Sequence, residues 1–394
     1  MRPLPKFTPI EVPLRIGRPS LPRDTHYNPL QLFLLFWDWD LLQDVCNQTN
    51  SFAERIKDDS SPWKPLTKIE LLHYFSYLIR LGLFNQSNRN YLWAPIGGSL
   101  SGAPLSKNRF EQITKFIYFK DRGLDAVKGE DWWLKLRTPW KSIKAKCAKY
   151  WVPGSNLTVD EVMVKFEGRS SQIITIPGKP IPVGFKQEAL ADSGYILNWE
   201  ACRPNLNEGG SSPIEVTTPE EIKLVKKTFL TNTQAIVARL AITLNPYTEK
   251  GLRFHFYLDN LFTCWRLCSY LRTQGIAVTG TARKGACGMP PRLLALKAAS
   301  AGLKWGALQV SIVHEVACFI WQDQSAVLGR YAPLTEYSLT NIFSLGITTG
   351  HLVNAETIRS RKQPKKSSSQ ANITREPFNG NFRANLPVPD FIDR

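Results

Sequence analysis

Asp160 lies inside an apolar run, Leu157-Thr-Val-Asp-Glu-Val-Met-Val-Lys-Phe166, that alternates with the two-residue period of a strand. A short charged side chain neither packs well in a strand nor tolerates loss of water, so something must compensate it. A divalent cation would do so: carboxylate oxygens suit Mg²⁺, and two converging carboxylates can hold metal for phosphodiester hydrolysis. Asp259 stands 99 positions later at the end of a second apolar run, 253–258, and is the natural second ligand. Glu161 points to the opposite side of its strand from Asp160 and is the weaker candidate. The metal-free alternative makes Asp160 an exposed edge residue and Asp259 a helix N-cap. Two acids so far apart are no motif by themselves.

The elements that must position these acids can be read locally. Residues 261–272 carry helical apolar spacing that ends near Gly275, and an apolar strand follows at 276–279. Asp259 thus opens the turn of a strand-helix-strand unit, at the strand end where α/β sheets collect their chemistry. Stretches 185–191 and 195–203 flank Asp192-Ser193-Gly194, a hairpin signal, and 231–244 reads as a helix. Before Pro153-Gly154 the texture is helical. Thr67 and Glu70 form a capping box with Leu66 as staple, predicting a helix from Lys68 to about Gly82. Ser106 can cap another helix carrying Phe110, Ile113, Ile117 and Phe119. Residues 137–149 continue as a basic helix with Lys141, Lys144, Lys146 and Lys149, a pattern that is ordinarily a solvated face. The fold class is α/β, with strand pairing left open.

The chain has 394 residues, room for two or three domains. Lys and Arg exceed Asp and Glu by 17, an excess that favours a polyanionic partner, nucleic acid first, because neutralising phosphates releases counterions. The seven cysteines include no C-x-x-C pair, so no zinc site is expected. Residues 1–28 are rich in Pro and Arg, lack the apolar core of a signal peptide and read as an extended arm. No run approaches the roughly 18 apolar residues of a membrane span, so no membrane partner is expected. These features point to an intracellular, reducing compartment, and a DNA partner would make it the nucleus or nucleoid, the nucleus being the expectation.

Several blocks then carry a resemblance. Leu157-Thr-Val-Asp-Glu-Val-Met-Val-Lys-Phe-Glu-Gly-Arg169 resembles the first catalytic block of piggyBac-type transposases, and Pro177-Gly-Lys-Pro180, Gly184-Phe-Lys186 and Ala191-Asp-Ser-Gly-Tyr195 resemble its continuation. Tyr257-Leu-Asp-Asn-Leu-Phe-Thr263 resembles the second block, and Gly275-Ile-Ala-Val-Thr-Gly-Thr-Ala-Arg283 the strand after it. Thr49-Asn50, the helix at 69–83, Tyr91-Leu-Trp93 and Ser106-Lys-Asn-Arg-Phe110 resemble the family's dimerisation and DNA-binding region. Trp321-Gln-Asp323, Arg359-Ser-Arg-Lys362 and Leu386-Pro-Val-Pro389 also match, so the likeness spans about residues 28–394.

The resemblance implies an RNase H-like nuclease core, a mixed sheet with flanking helices, preceded by a mainly helical domain and interrupted by an insertion domain. On this reading 1–28 is a basic arm, 29–150 the helical dimerisation and DNA-binding domain, and 151–283 the core. Residues 284–350 form the insertion domain, and 351–394 a basic linker and partial return to the core. Family members use three aspartates and a two-metal Mg²⁺ site to cut and rejoin double-stranded DNA at transposon ends and TTAA targets. Asp160 and Asp259 match the first two. The third follows the Leu-Pro-x-Pro segment in a Gly-Val-Asp context, and nothing after Pro389 matches it. Asp323 is rejected as a substitute because its block is a separate feature, read as a turn between strands. Val327-Leu-Gly329 and Leu345-Gly-Ile-Thr-Thr349 look like two halves of one motif separated by the atypical segment 330–346, read as a retained intron or late insertion.

The function expected is therefore a piggyBac-derived DNA-binding protein with a defective catalytic site. DNA would be met by Lys165, Arg169, Lys179, Lys186, Arg283 and Lys284 near the core and by Arg359, Arg361 and Lys362 beyond it. The alternatives are an active Mg²⁺-dependent cut-and-paste transposase and a domesticated protein-interaction protein with no DNA role. A homodimer is compatible with the resemblance.

Overall fold

The computed structural model describes residues 12–22, 26–56, 62–84, 89–93, 104–120, 134–204, 211–213, 230–283, 285, 288–299, 308–313, 316–322 and 326–332. The chain divides into two compact units, 21–149 and a second made of 1–20 with 150–394.

The first unit is helical. Helices α1 (Pro29–Phe36), α2 (Trp39–Ile56), α3 (Lys68–Phe84), α4 (Lys107–Phe116) and α5 (Leu134–Lys149) surround a core that includes Leu42, Val45, Leu71, Tyr77, Phe110 and Ile113. The capping box expected at α3 is present: the Glu70 N–H donates to Thr67 Oγ1 at 3.2 Å and the Thr67 N–H to Glu70 Oε2 at 3.3 Å. Glu70 also receives both forks of Arg109, at 3.0 and 3.1 Å, which joins α4 to α3. Ser106 caps α4, accepting from the Arg109 N–H. Thr49 and Asn50 are clamps: Thr49 bonds both backbone groups of Tyr118, and Asn50 accepts from the Leu66 N–H at 2.6 Å and from Trp63 Nε1 at 3.0 Å. Lys146, read as part of a solvated face, instead binds Asp38 at 2.7 Å and the Phe36 carbonyl at 3.0 Å.

The second unit is built on a sheet. The short β1 (Arg18–Pro19) pairs with β2 (Trp151–Val152). The main sheet contains β3 (Asn156–Lys165), β4 (Ile174–Thr175), β5 (Val183–Asp192), β6 (Tyr195–Pro204) and β7 (Ser211–Pro213). After helices α6 (Asn232–Ile242) and α7 (Asn245–Thr248) come β8 (Phe254–Leu258), α8 (Trp265–Thr273), β9 (Ile276–Thr281) and α9 (Pro291–Ala298). Three strands follow, β10 (Leu308–Val313), β11 (Val316–Gln322) and β12 (Ala326–Ala332). The order is β10-β11-β12-β9-β8-β3-β5-β6-β7, with β4 beside β5. β3, β8 and β9 run parallel and the other pairs are antiparallel, so the sheet is mixed.

Local chemistry sets these joints. Ser193 and Gly194 have φ of 50° and 88°, the pair of positive angles that a two-residue hairpin matched to strand twist requires. Asp192 is buried beside that turn and accepts from Trp151 Nε1 at 2.8 Å and the Gly154 N–H at 2.7 Å. The helix expected from 261 begins later, at Trp265, because Phe262 and Thr263 spend their N–H groups on the Asp259 carbonyl and Cys264 takes the cap. The stretch after Arg283, expected as an insertion domain, contributes in its described part α9 and three strands that continue the sheet from β9. Lys284, Asp323, residues 333–346 and everything beyond them lie outside the described residues.

One face of the sheet carries the core, with Leu157, Val159, Leu190, Phe254, Phe256 and Leu258 packed with α6 and α8. A polar row crosses this side: Glu161 pairs in register with Glu188, and Glu188 with Glu200. Glu200 is neutralised by Arg239 of α6, which donates from Nε at 2.9 Å and from a terminal nitrogen at 2.6 Å. Glu188 has a side-chain exposure of 1%, meets Lys186 at 2.9 Å, and has no described hydrogen-bond partner for its second oxygen. Burial pushes its carboxyl up to about 7, with Lys186 opposing and Glu161 and Asp160 adding to the rise.

Removing Glu200 alone strands a buried guanidinium, so Glu200→Ala should lose about 3–5 kcal/mol in urea unfolding, whereas Glu200→Leu with Arg239→Met should recover most of it. The folded chain holds the Glu188 proton to a higher pH than the unfolded chain does. The stability this contributes is complete below the ordinary carboxylate pKa of 4.5 and is lost as pH rises through about 7. Denaturant melts of Glu188→Gln from about pH 5 to pH 8 should show a flatter decline than the parent.

Candidate active site

The site grows out of the parallel pairing of β3 with β8. In that register Val159 lies beside Leu258, so Asp160, still within β3 and paired with Ala189 of β5, and Asp259, the residue after β8, fall side by side. Thr158 Oγ1 donates to the Tyr257 carbonyl at 3.1 Å and pins the strands two residues before the acids. β9 completes the support. A side chain at Gly280 would collide with Thr263 Oγ1 and the Leu258 carbonyl, so glycine is what lets β9 close against the turn that carries Asp259.

Asp160 is exposed but not on an edge strand, and Asp259 is exposed but is not the helix N-cap. β3 is an interior strand, flanked by β8 and β5, and Cys264 rather than Asp259 caps the following helix. Asp160 and Asp259 are both exposed, while Val159 and Leu258 are buried. Asp160 Oδ1 accepts from the Glu161 N–H at 2.7 Å, and Asp259 Oδ1 accepts from the Asn260 N–H. Loss of solvation is the largest cause that raises the Asp160 carboxyl above its ordinary value. The Glu161 N–H and Lys179 oppose it, and the negative charges of Asp259 and Glu161 add to it.

Two exposed carboxylates that repel one another, one midway along β3 and one just past the end of β8, suit a divalent cation, and Mg²⁺ is commonly held by one or two carboxylates with water completing its shell. Asp160 and Asp259 would hold it. Among the described residues there is no group of three or more His, Cys, Asp or Glu that could hold a metal ion, so the donors the described site offers are these two carboxylates. The acid nearest in sequence, Glu161, is committed elsewhere: Oε1 meets Lys179 at 2.6 Å and Oε2 meets Lys186 at 3.3 Å. Burial opposes ionisation of Glu161, but the two lysines outweigh it and hold the carboxyl below its ordinary value.

The basic residues divide into distinct groups. Arg283, at the end of β9, donates from Nε to Asn260 Oδ1 at 2.7 Å and stands exposed next to the residue following Asp259. Lys179 is exposed, and its ammonium is held charged first by Glu161 and also by Asp160 and Asp259. Lys165 and Arg169 are exposed, with Lys165 paired to the equally exposed Glu167 at 2.6 Å. Lys186, expected to meet DNA from the surface, is corrected by its position: its side chain is 9% exposed and lies between Glu161 and Glu188. The two-residue period carried the signal for this, because Lys186 and Glu188 share a strand face with the core residue Leu190. Arg359, Arg361 and Lys362 fall outside the described residues.

The family model described as transposase IS4 matches residues 28–332. Among curated proteins the chain is similar to human PiggyBac transposable element-derived protein 2, with 25% identity over 311 residues that take in 76% of this chain and 47% of that protein. It is also similar to human PiggyBac transposable element-derived protein 3, with 25% identity over 277 residues, 68% of this chain and 42% of that protein. The chain thus spans about half the length of these relatives. Among solved structures, a piggyBac transposase synaptic complex with hairpin DNA, determined by cryo-electron microscopy, matches with a TM-score of 0.64 and 19% identity. The match covers 81% of this chain and 63% of that one, a likeness of fold. Sequence blocks, sheet and family match agree, and the chain belongs to the transposase IS4 family as a piggyBac-type member.

Proposed function

We propose that this chain is a transposase-derived, double-stranded-DNA-binding protein acting on nuclear DNA, with an RNase H-like core whose acid pair supports little strand cleavage. One observation carries the reading: Asp160 and Asp259 emerge together from adjacent parallel strands, with the cationic Arg283 and Lys179 beside them. A phosphodiester backbone is the ligand that suits this mixture, since cations bind its oxygens and a metal held by the carboxylates would offset their repulsion of phosphate. The solved relative is a DNA complex by its own description, which favours the same class of partner.

The residues would divide the work. Arg283 and Lys179 hold phosphate near the acids, while Lys165 and Arg169 add contacts along the duplex. Asp160 and Asp259 would coordinate Mg²⁺, whose chemistry is polarisation of a phosphoryl oxygen and activation of water. A paired-metal mechanism needs a further ligand, and Glu161 is already neutralised by two lysines. Among the described residues no third ligand stands with the pair, and poor turnover is expected on this reading. Recognition of TTAA or of transposon ends, and assembly of two copies on DNA, belong to the same reading as expectations.

Binding of a fluorescent DNA duplex should weaken steeply from about 50 to 200 mM salt, with a log-log slope of about −3 to −4 if four side chains meet phosphate. Flat salt dependence would favour a protein-interaction role instead. In a Mg²⁺-dependent nicking assay the parent chain and Asp160→Ala should both stay near background, and nicking by the parent that Asp160→Ala abolishes would establish an active nuclease.

A further inference from the structure

The PGKP turn between β4 and β5 is closed by the Ile176 N–H donating to the Pro182 carbonyl at 2.8 Å, with Gly178 at a φ of 86° and prolines at 177, 180 and 182. Such a turn has few conformations to lose. It delivers the Lys179 ammonium to Glu161 Oε1 at 2.6 Å. Glu161 is in turn held by Lys186 at 3.3 Å, and Lys186 by Glu188 at 2.9 Å. Side-chain exposure runs 42% for Lys179, 14% for Glu161, 9% for Lys186 and 1% for Glu188, so the ladder descends from surface to interior. Its outward member, Lys179, is anchored to the residue that follows Asp160 in β3 and feels the charges of both aspartates.

We infer that Lys179 is a pre-positioned phosphate-binding residue of the acid-pair site, and that Glu161, backed by Lys186 and Glu188, is the residue that positions it. The inference rests on the reading that this site takes DNA, and deepens it by naming a fixed contact. A free surface lysine loses rotamer entropy of order 1–2 kcal/mol when it grips a phosphate. Lys179 has surrendered much of that freedom in the folded chain, so its grip is less offset. Lys165 is the internal contrast: it pairs with Glu167, whose side chain is 77% exposed, and such a pair is solvent-screened and exchanges readily. The same ladder explains why an acid next to Asp160 does not complete a metal site, since binding Mg²⁺ through Glu161 would release two cations, one of them buried.

The test measures affinity of the full chain for a fluorescent DNA duplex in EDTA, so that no metal enters, as a function of salt. Lys179→Ala should weaken binding about fivefold or more at physiological salt and lower the magnitude of the salt slope by about 0.9, the loss of one phosphate. Lys179→Arg should restore the slope, and thermal melting should stay unchanged in both. In a Glu161→Gln background, Lys179→Ala should have a clearly smaller effect, because the positioning is already gone. If the parent binds with a steep slope that Lys179→Ala leaves intact, the inference fails while the DNA-binding reading stands. If the two substitutions are strictly additive, Glu161 does not position Lys179. If the parent shows no salt-dependent DNA binding, the reading beneath both is overturned.

Discussion

The parallel register between β3 and β8 is the constraint on which the site depends. It joins segments about a hundred residues apart, and through it Asp160 and Asp259 become neighbours. Parallel neighbours need a long crossover, and here β5, β6 and α6 are folded before the chain returns as β8. The core residues Leu157, Val159, Phe256 and Leu258 fix that register from beneath, since a slip of one residue would turn each of them to the opposite face. The apolar side of the sheet therefore sets the geometry of the charged side.

Charge is distributed in keeping with that geometry. A protein with a net charge of +17 could hold polyanions loosely over much of its surface. Near the acid pair the cations are instead individually anchored, Arg283 by Asn260 and Lys179 by Glu161. Deeper still, Lys186 and Arg239 serve the fold, each set against a buried glutamate in the row that crosses β3, β5 and β6. Positive charge on this unit thus has two roles that composition cannot separate: cations at the rim meet solvent, and cations below it neutralise acids that would otherwise destabilise the sheet.

The match to the transposase IS4 family spans residues 28–332, and so takes in both aspartates and the described sheet. The described part of the segment after Arg283 extends the sheet with β12 antiparallel to β9, and so adds to the scaffold on the far side of the acids. The same segment places Gly329 opposite Thr281, two residues before Arg283. That arrangement ties the end of β9, and hence the Arg283 position, to strands outside the two aspartate-bearing segments.

What could be read from the residues alone was what neighbours along the chain encode. The capping box at Thr67, the Ser193-Gly194 turn, the alternation around Asp160 and the strand-helix-strand unit around Asp259 each depend on a few adjacent side chains and their backbone. The family resemblance added which two acids belong together. Pairing across the sheet was a matter for the folded chain, because it depends on partners far apart in sequence: Asp160 beside Asp259, Glu161 opposite Glu188, and Glu188 opposite Glu200. The same holds for the fate of Lys186, whose charge looked available to DNA in a linear reading. Its burial follows from lying on the core face between two acids, a placement set by strand pairing and packing rather than by the residue's own chemistry.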